Sequence, residues 1–211
     1  MADNYLERRA EAVASGRTTV VRRNSPTLDT LLRKNRSHRG FDPSYRVHMR
    51  QLEAIASVNT KIASGRNAQT LRFRLVDAGS GGETLCSHLH LGGFLPELHL
   101  PFEGEEPKAF IVVCGTVPET PTVDIDLGIS LQSMSLKAVE LGLNALIVRA
   151  FDKEPLRRAL GLDLEPLAVL AIGKGTDHIE MVEVKEGADL RYRREDGVHF
   201  VPKIALGDLL V

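Results

Sequence analysis

The sequence predicts an α+β fold in three layers, with helices on both sides of a mostly buried sheet. Three observations predict it. Continuous apolar, β-branched runs recur at 109–114, 145–148 and 167–172, the pattern of strands covered on both faces. The stretch 126–141 places Leu127, Leu131, Met134, Ala138 and Leu141 at a/d spacing, with Ile129, Leu136 and Val139 elsewhere on its surface. Such a helix is covered on several sides. Shorter helical patterns stand before the first strand run and between the last two.

Taken in chain order, residues 1–26 form an N-terminal extension and 27–211 a single domain. The extension carries Arg8, Arg9, Arg17, Arg22 and Arg23. Leu6, Ala10 and Val13 fall at helical spacing, and Gly16 would end that helix, which gives an arm that packs on the body or on a partner subunit. Ser25-Pro26 offers a capping hydroxyl followed by proline, and Leu28, Leu31 and Leu32 make the expected buried face of the next helix. A second helix is expected over 47–62, with Leu52, Ile55 and Ala56 inward. Residues 71–75 alternate apolar and basic, as a half-buried strand does. Residues 79–108, rich in Gly, Pro and His, read as loops and short helices. Gly142 closes the long helix, a further helix near 153–160 carries Leu156 and Leu160, and the remainder after 172 reads as a tail.

Composition bounds the chemistry. The 211 residues carry a formal net charge of −1, so nothing draws the chain as a whole to nucleic acid or to an anionic membrane. No stretch approaches the roughly 18 consecutive apolar residues of a membrane helix. The charged N-terminus has no signal-peptide core, so a cytoplasmic location is expected. Cys86 and Cys114 make no disulfide framework and read as reduced thiols. Cys86, His88, His90 and His99 are soft ligands, but their spacing fits no zinc pattern, and no metal is expected. Gly173-Lys174-Gly175 lacks the form of a phosphate loop.

Three separated segments offer groups suited to one elongated anionic ligand. Arg36-Ser37-His38-Arg39 can surround a phosphate with charge-assisted hydrogen bonds. Asn67 and Gln69, in Ser64-Gly65-Arg66-Asn67-Ala68-Gln69, both donate and accept, which suits the edge of a heterocycle. Lys203, in Val201-Pro202-Lys203, is a candidate phosphate lysine. Each segment alone is also what a solvated surface loop looks like.

In order, the chain contains NRSHRGFD, SGRNAQTLRF, EGEEPKAFIVV, DIDLGISLQSMSLKAVELGLNALIV, LAVLAIGKG and RREDGVHFVPK. This ordered set resembles the nitroreductase family of FMN enzymes from about Leu28 to the C-terminus. The resemblance implies a mostly antiparallel central sheet and a homodimer, with FMN in a groove between subunits and the helix from Asp126 in the dimer core. NADH or NADPH would be the reductant and a nitroaromatic, quinone or similar small molecule the acceptor. It implies Arg36, Ser37 and Arg39, with His38 in the same turn, near the ribityl phosphate or flavin edge. Asn67 and Gln69 would sit at the pyrimidine ring, Lys203 near the phosphate, and Val148, Arg149 and Ala150 near the flavin N5. No protein nucleophile is required, because a flavin carries the difficult chemistry. Two positions depart from the family pattern: Asn35 stands where an arginine is common, and Arg149-Ala150 where Gly-Gly is common. The rival reading is a flavin- or nucleotide-binding regulatory module without turnover. A family member that has lost FMN follows from Asn35.

Overall fold

The computed structural model describes residues 14–16, 25–93 and 96–211. The proposed helix through Leu6, Ala10 and Val13 lies outside them. The central sheet contains β1 (Leu71–Val76), β2 (Ala109–Gly115), β3 (Asn144–Val148) and β4 (Glu165–Gly173). Its order is β1-β2-β4-β3, and every neighbouring pair is antiparallel.

Strand alternation builds two cores. Ala109, Ile111 and Val113 of β2 face one, which is closed by Leu52 and Ile55 of α2 (Met49–Ala56) and by Leu127, Leu131, Met134 and Ala138 of α4 (Pro121–Glu140). Phe110, Val112 and Cys114 face the other, which is closed by Leu85 of α3 (Gly82–Cys86), by Phe151 and by Leu156 of α5 (Lys153–Ala159). The result is the three-layer α+β arrangement, and the three apolar runs of the sequence are β2, β3 and β4.

Helix boundaries differ from the sequence reading for local reasons. α4 begins at Pro121, ahead of residue 126, because Thr120 caps it: the Thr120 hydroxyl oxygen accepts from Val123 N–H at 3.3 Å, and Pro121 follows at a position that needs no donor. α2 ends at Ala56 and tightens into a 3-10 turn over Ser57–Thr60. The cap of α1 (Leu28–Lys34) is Thr27, whose Oγ1 accepts from Thr30 N–H at 3.2 Å. The expected buried face of α1 is a correction. Leu28 is 63% and Leu32 41% exposed, and no residue of α1 is buried, because among the described residues the helix packs chiefly against α4.

The segment read as a tail folds into a second sheet. β5 (His178–Val184) pairs parallel with β7 (Val198–Ile204), and β6 (Arg193–Glu195) pairs antiparallel with the other side of β7. Asp196 and Gly197 join β6 to β7 with φ of 49° and 79°, the two-residue hairpin turn in which both central residues are left-handed. A short helix, α6 (Leu206–Leu209), follows. A bridge from Ser37 to Ala145 lays the 35–39 turn along the free edge of β3. Among the described residues no helix is long and apolar enough to cross a membrane.

Candidate functional site

β3 is the edge strand of the central sheet, and the second sheet faces that edge. Between them runs a groove of about 270 Å³, walled by Arg36, Ser37 and Arg39 on one side and by His199 and Lys203 of β7 on the other. A smaller groove of about 150 Å³ shares Arg39, Ile147 and Tyr192 with it and continues to Val148, Arg149 and Ala150. The path therefore follows the edge of β3 from Lys203 to the end of the strand.

The cations at the first end differ in how they are held. Arg36 Nη2 donates to the Leu32 carbonyl at 2.7 Å, and Nη1 lies 3.1 Å from the Met181 thioether. Its Nε is buried and has no acceptor among the described residues. Burial pushes this guanidinium below its ordinary pKa. Arg39 lies over the Tyr192 ring at 4.7 Å and donates to the Ser37 carbonyl at 3.1 Å. Its Nη1 is 3.4 Å from His199 Nε2. A guanidinium only donates, so this nitrogen of His199 accepts. Lys203 is exposed and makes no ion pair among the described residues.

Beneath the turn, Asp177 fixes the backbone. Its carboxylate accepts from Arg39 N–H at 2.6 Å, Gly40 N–H at 3.1 Å and Arg194 at 3.0 Å. His38 points to that side. Adjacent residues of an extended segment face opposite ways, so with Ser37 at the groove the His38 ring lies buried against Gly175, 3.8 Å from Asp177. A side chain at 175 would collide with the ring. His38 and His199 both have lowered pKa values, first through burial, with the Arg39 charge adding to it and Asp177 opposing.

At the second end, Arg149 turns to the start of α4. It donates to Asp124 at 3.2 Å and pairs with Glu119, and these bonds raise its pKa. Asn35, where the resemblance led us to expect a cation, is drawn to Gln132 of α4, its amide donating at 3.4 Å.

Asn67 and Gln69 are elsewhere. Their loop is tied to α4 at Asp126, where Gly65 N–H donates at 2.8 Å. Helical residues are about 100° apart around the axis. Asp126 and Ser130 thus lie on a flank of α4 roughly opposite Gln132 and Ser135, which line the cation groove. One chain presents the amides and the cations on opposite flanks of the same helix.

The chain is similar to several known proteins. Residues 106–174 match the nitroreductase family. YdgI of Bacillus subtilis (strain 168), provisionally assigned as an NAD(P)H nitroreductase, is 24% identical over 183 residues, covering 70% of this chain and 88% of that protein. A nitroreductase family protein of Clostridium difficile 630 superposes with a TM-score of 0.54 at 26% identity, over 69% of this chain and 83% of that one. The chain is similar to the nitroreductase family, whose model matches residues 106–174. A provisionally assigned nitroreductase of Exiguobacterium sibiricum 255-15, solved in complex with FMN, shares the fold with a TM-score of 0.59 at 19% identity, over 72% of this chain and 90% of that one.

The structure adds residues that sequence reasoning did not single out. His199 of β7 and Tyr192, just before β6, reach the groove, and Asp177 and Asp126 anchor the two loops. The available signal was Asp196-Gly197 between alternating residues, a strong hairpin mark. Of the soft ligands considered for metal, His90 pairs with Asp152 at 3.1 Å, and no metal-holding cluster occurs among the described residues.

Proposed function

We propose that this chain, as a homodimer with residues 1–26 as an extension, binds FMN along the edge of β3 and passes reducing equivalents from NADH or NADPH to a small organic acceptor. Nitroaromatics and quinones are the expected acceptor classes, and the cytoplasm the expected location. The observation that carries the reading is the buried, unaccepted Nε of Arg36. A desolvated cation without a counter-charge is costly, and a phosphate oxygen supplies what it lacks. Ser37, Arg39 and Lys203 line the same groove and share the anion.

Bound FMN would supply the hydride-transfer chemistry between the nicotinamide and the acceptor. The chain's own part is binding and orientation. Arg36 and Lys203 neutralise the phosphate. Asp177 and the buried His38 hold the turn that carries Ser37 and Arg39. The edge of β3 offers Ile147 as an apolar floor, and the backbone of Val148, Arg149 and Ala150, which lines the far end of the path, would meet the flavin there. Asn67 and Gln69 serve the groove of a second copy, since their flank of α4 faces away from their own. Ile125, 63% exposed on α4, is apolar surface for that second copy to cover.

The test is anaerobic addition of NADH or NADPH to the FMN-loaded protein, followed by a quinone. Bleaching of the visible flavin band and its recovery support turnover. A band that neither nicotinamide bleaches contradicts it and leaves a binding module.

A further inference from the structure

We infer that Asp126 and Ser64 are positioning residues for the flavin: they hold Asn67 and Gln69 in a left-handed loop whose amides present a donor beside an acceptor. The inference rests on the FMN reading above. Arg66, Asn67 and Gln69 have φ of 52°, 54° and 48°, a region that residues with a side chain seldom adopt. Three such residues within four positions persist only where the surroundings over-determine the backbone.

The surroundings here are one buried carboxylate. Asp126 Oδ1 accepts from Gly65 N–H at 2.8 Å, at the start of the loop. Oδ2 accepts from Ser64 Oγ at 2.8 Å, and Ser64 Oγ in turn accepts from Gln69 N–H at 3.0 Å, at the end of the loop. The clamp therefore grips both ends. It needs two acceptor oxygens on one side chain, which aspartate has and asparagine lacks. Gly65 lets the loop lie on α4, since a Cβ there would come within 2.7 Å of Thr122 Cγ2.

With the backbone fixed, Gln69 Nε2 donates to Asn67 Oδ1 at 3.1 Å. That bond consumes one donor and one acceptor and sets the orientation of both amides. Both residues are exposed, and that bond leaves Asn67 Nδ2 as a donor and Gln69 Oε1 as an acceptor. A donor next to an acceptor complements the alternating carbonyl and N–H groups of a pyrimidine-dione edge, the end of the flavin remote from the phosphate.

The experiment uses Ser64→Ala, Asp126→Asn and the hydroxyl-keeping Ser64→Thr in the full chain. Dissociation constants are measured for FMN and for riboflavin, and amide hydrogen exchange is followed in the flavin-free protein. Ser64→Ala should weaken both flavins by the same factor, roughly tenfold, the loss of about one hydrogen bond. Gly65 and Gln69 amides should exchange faster while β2 and β4 amides do not, and Ser64→Thr should restore both properties. Should Asp126→Asn fail to fold, Ser64→Ala still decides the matter. Faster exchange with unchanged affinity for both flavins overturns the positioning role. Unchanged exchange overturns the clamp. Unaltered protein that binds neither flavin overturns the FMN reading instead, a separate result.

Discussion

Arg36 and Arg149 stand at the two ends of one path along β3, and both were candidate cofactor contacts. Arg36 is partly buried and, among the described residues, reaches a carbonyl and a thioether, with its buried Nε unaccepted. Arg149 is half exposed and bonded to Glu119 and Asp124. An arginine whose charge is already neutralised by two carboxylates contributes little to an incoming anion. One left without a counter-charge in a polar groove is the better anchor. Residue type and position were alike at the two sites, and the partners decide between them.

The largest effect that separates them is on cofactor affinity. Each charge-assisted hydrogen bond is worth about 1.5–3 kcal/mol, or roughly ten- to a hundredfold. Arg36→Ala combined with Lys203→Ala should therefore weaken FMN by roughly a hundredfold or more in an equilibrium titration. A loss below threefold would remove the assignment.

A second effect concerns the ground beneath the Arg36 end. His38 and His199 hold their neutral forms to lower pH in the fold than in the unfolded chain. Below the ordinary histidine value of about 6.5 the unfolded chain therefore binds more protons. The stability is fully present above that value and declines as pH falls below it. Urea titrations at pH 7.5 and pH 5.5 should show the decline, and it should be shallower in His38→Gln and His199→Gln. A profile flat over this window would contradict the neutral assignment.

The smallest effect is expected at Arg149. Arg149→Gly should leave FMN affinity within about twofold. It should cost less than about 1 kcal/mol of stability, because its ion pairs are solvent-screened. Kinetics with a neutral quinone and an acidic nitroaromatic should change alike. A loss confined to the anionic acceptor would show instead that Arg149 leaves Glu119 and Asp124 during turnover.

Much of the fold was legible because burial leaves a plain record. The runs at β2, β3 and β4 are apolar at every position, and Leu127, Leu131, Met134 and Ala138 keep helical spacing. The second sheet was not legible, since β5 is half exposed along its length and its alternation is weak. α1 misled for the opposite reason: Leu28 and Leu32 keep the spacing of a buried face but meet solvent in the single chain. In the site, residue chemistry named Arg36, Arg39 and Lys203, which do share a groove. It could not show that His38 turns under the turn, that Arg149 is engaged by Glu119 and Asp124, or that Asn67 and Gln69 face the other flank of α4. Those are consequences of partners distant in sequence.

The central claim is that the groove beside β3 anchors a terminal phosphate through otherwise unneutralised cations. Its most direct test is a pair of dissociation constants for the unaltered protein at low salt, one for FMN and one for riboflavin, which differ only in that phosphate. FMN should bind more tightly by roughly a hundredfold, with the margin narrowing as salt is raised. Equal affinity for the two flavins would contradict the account.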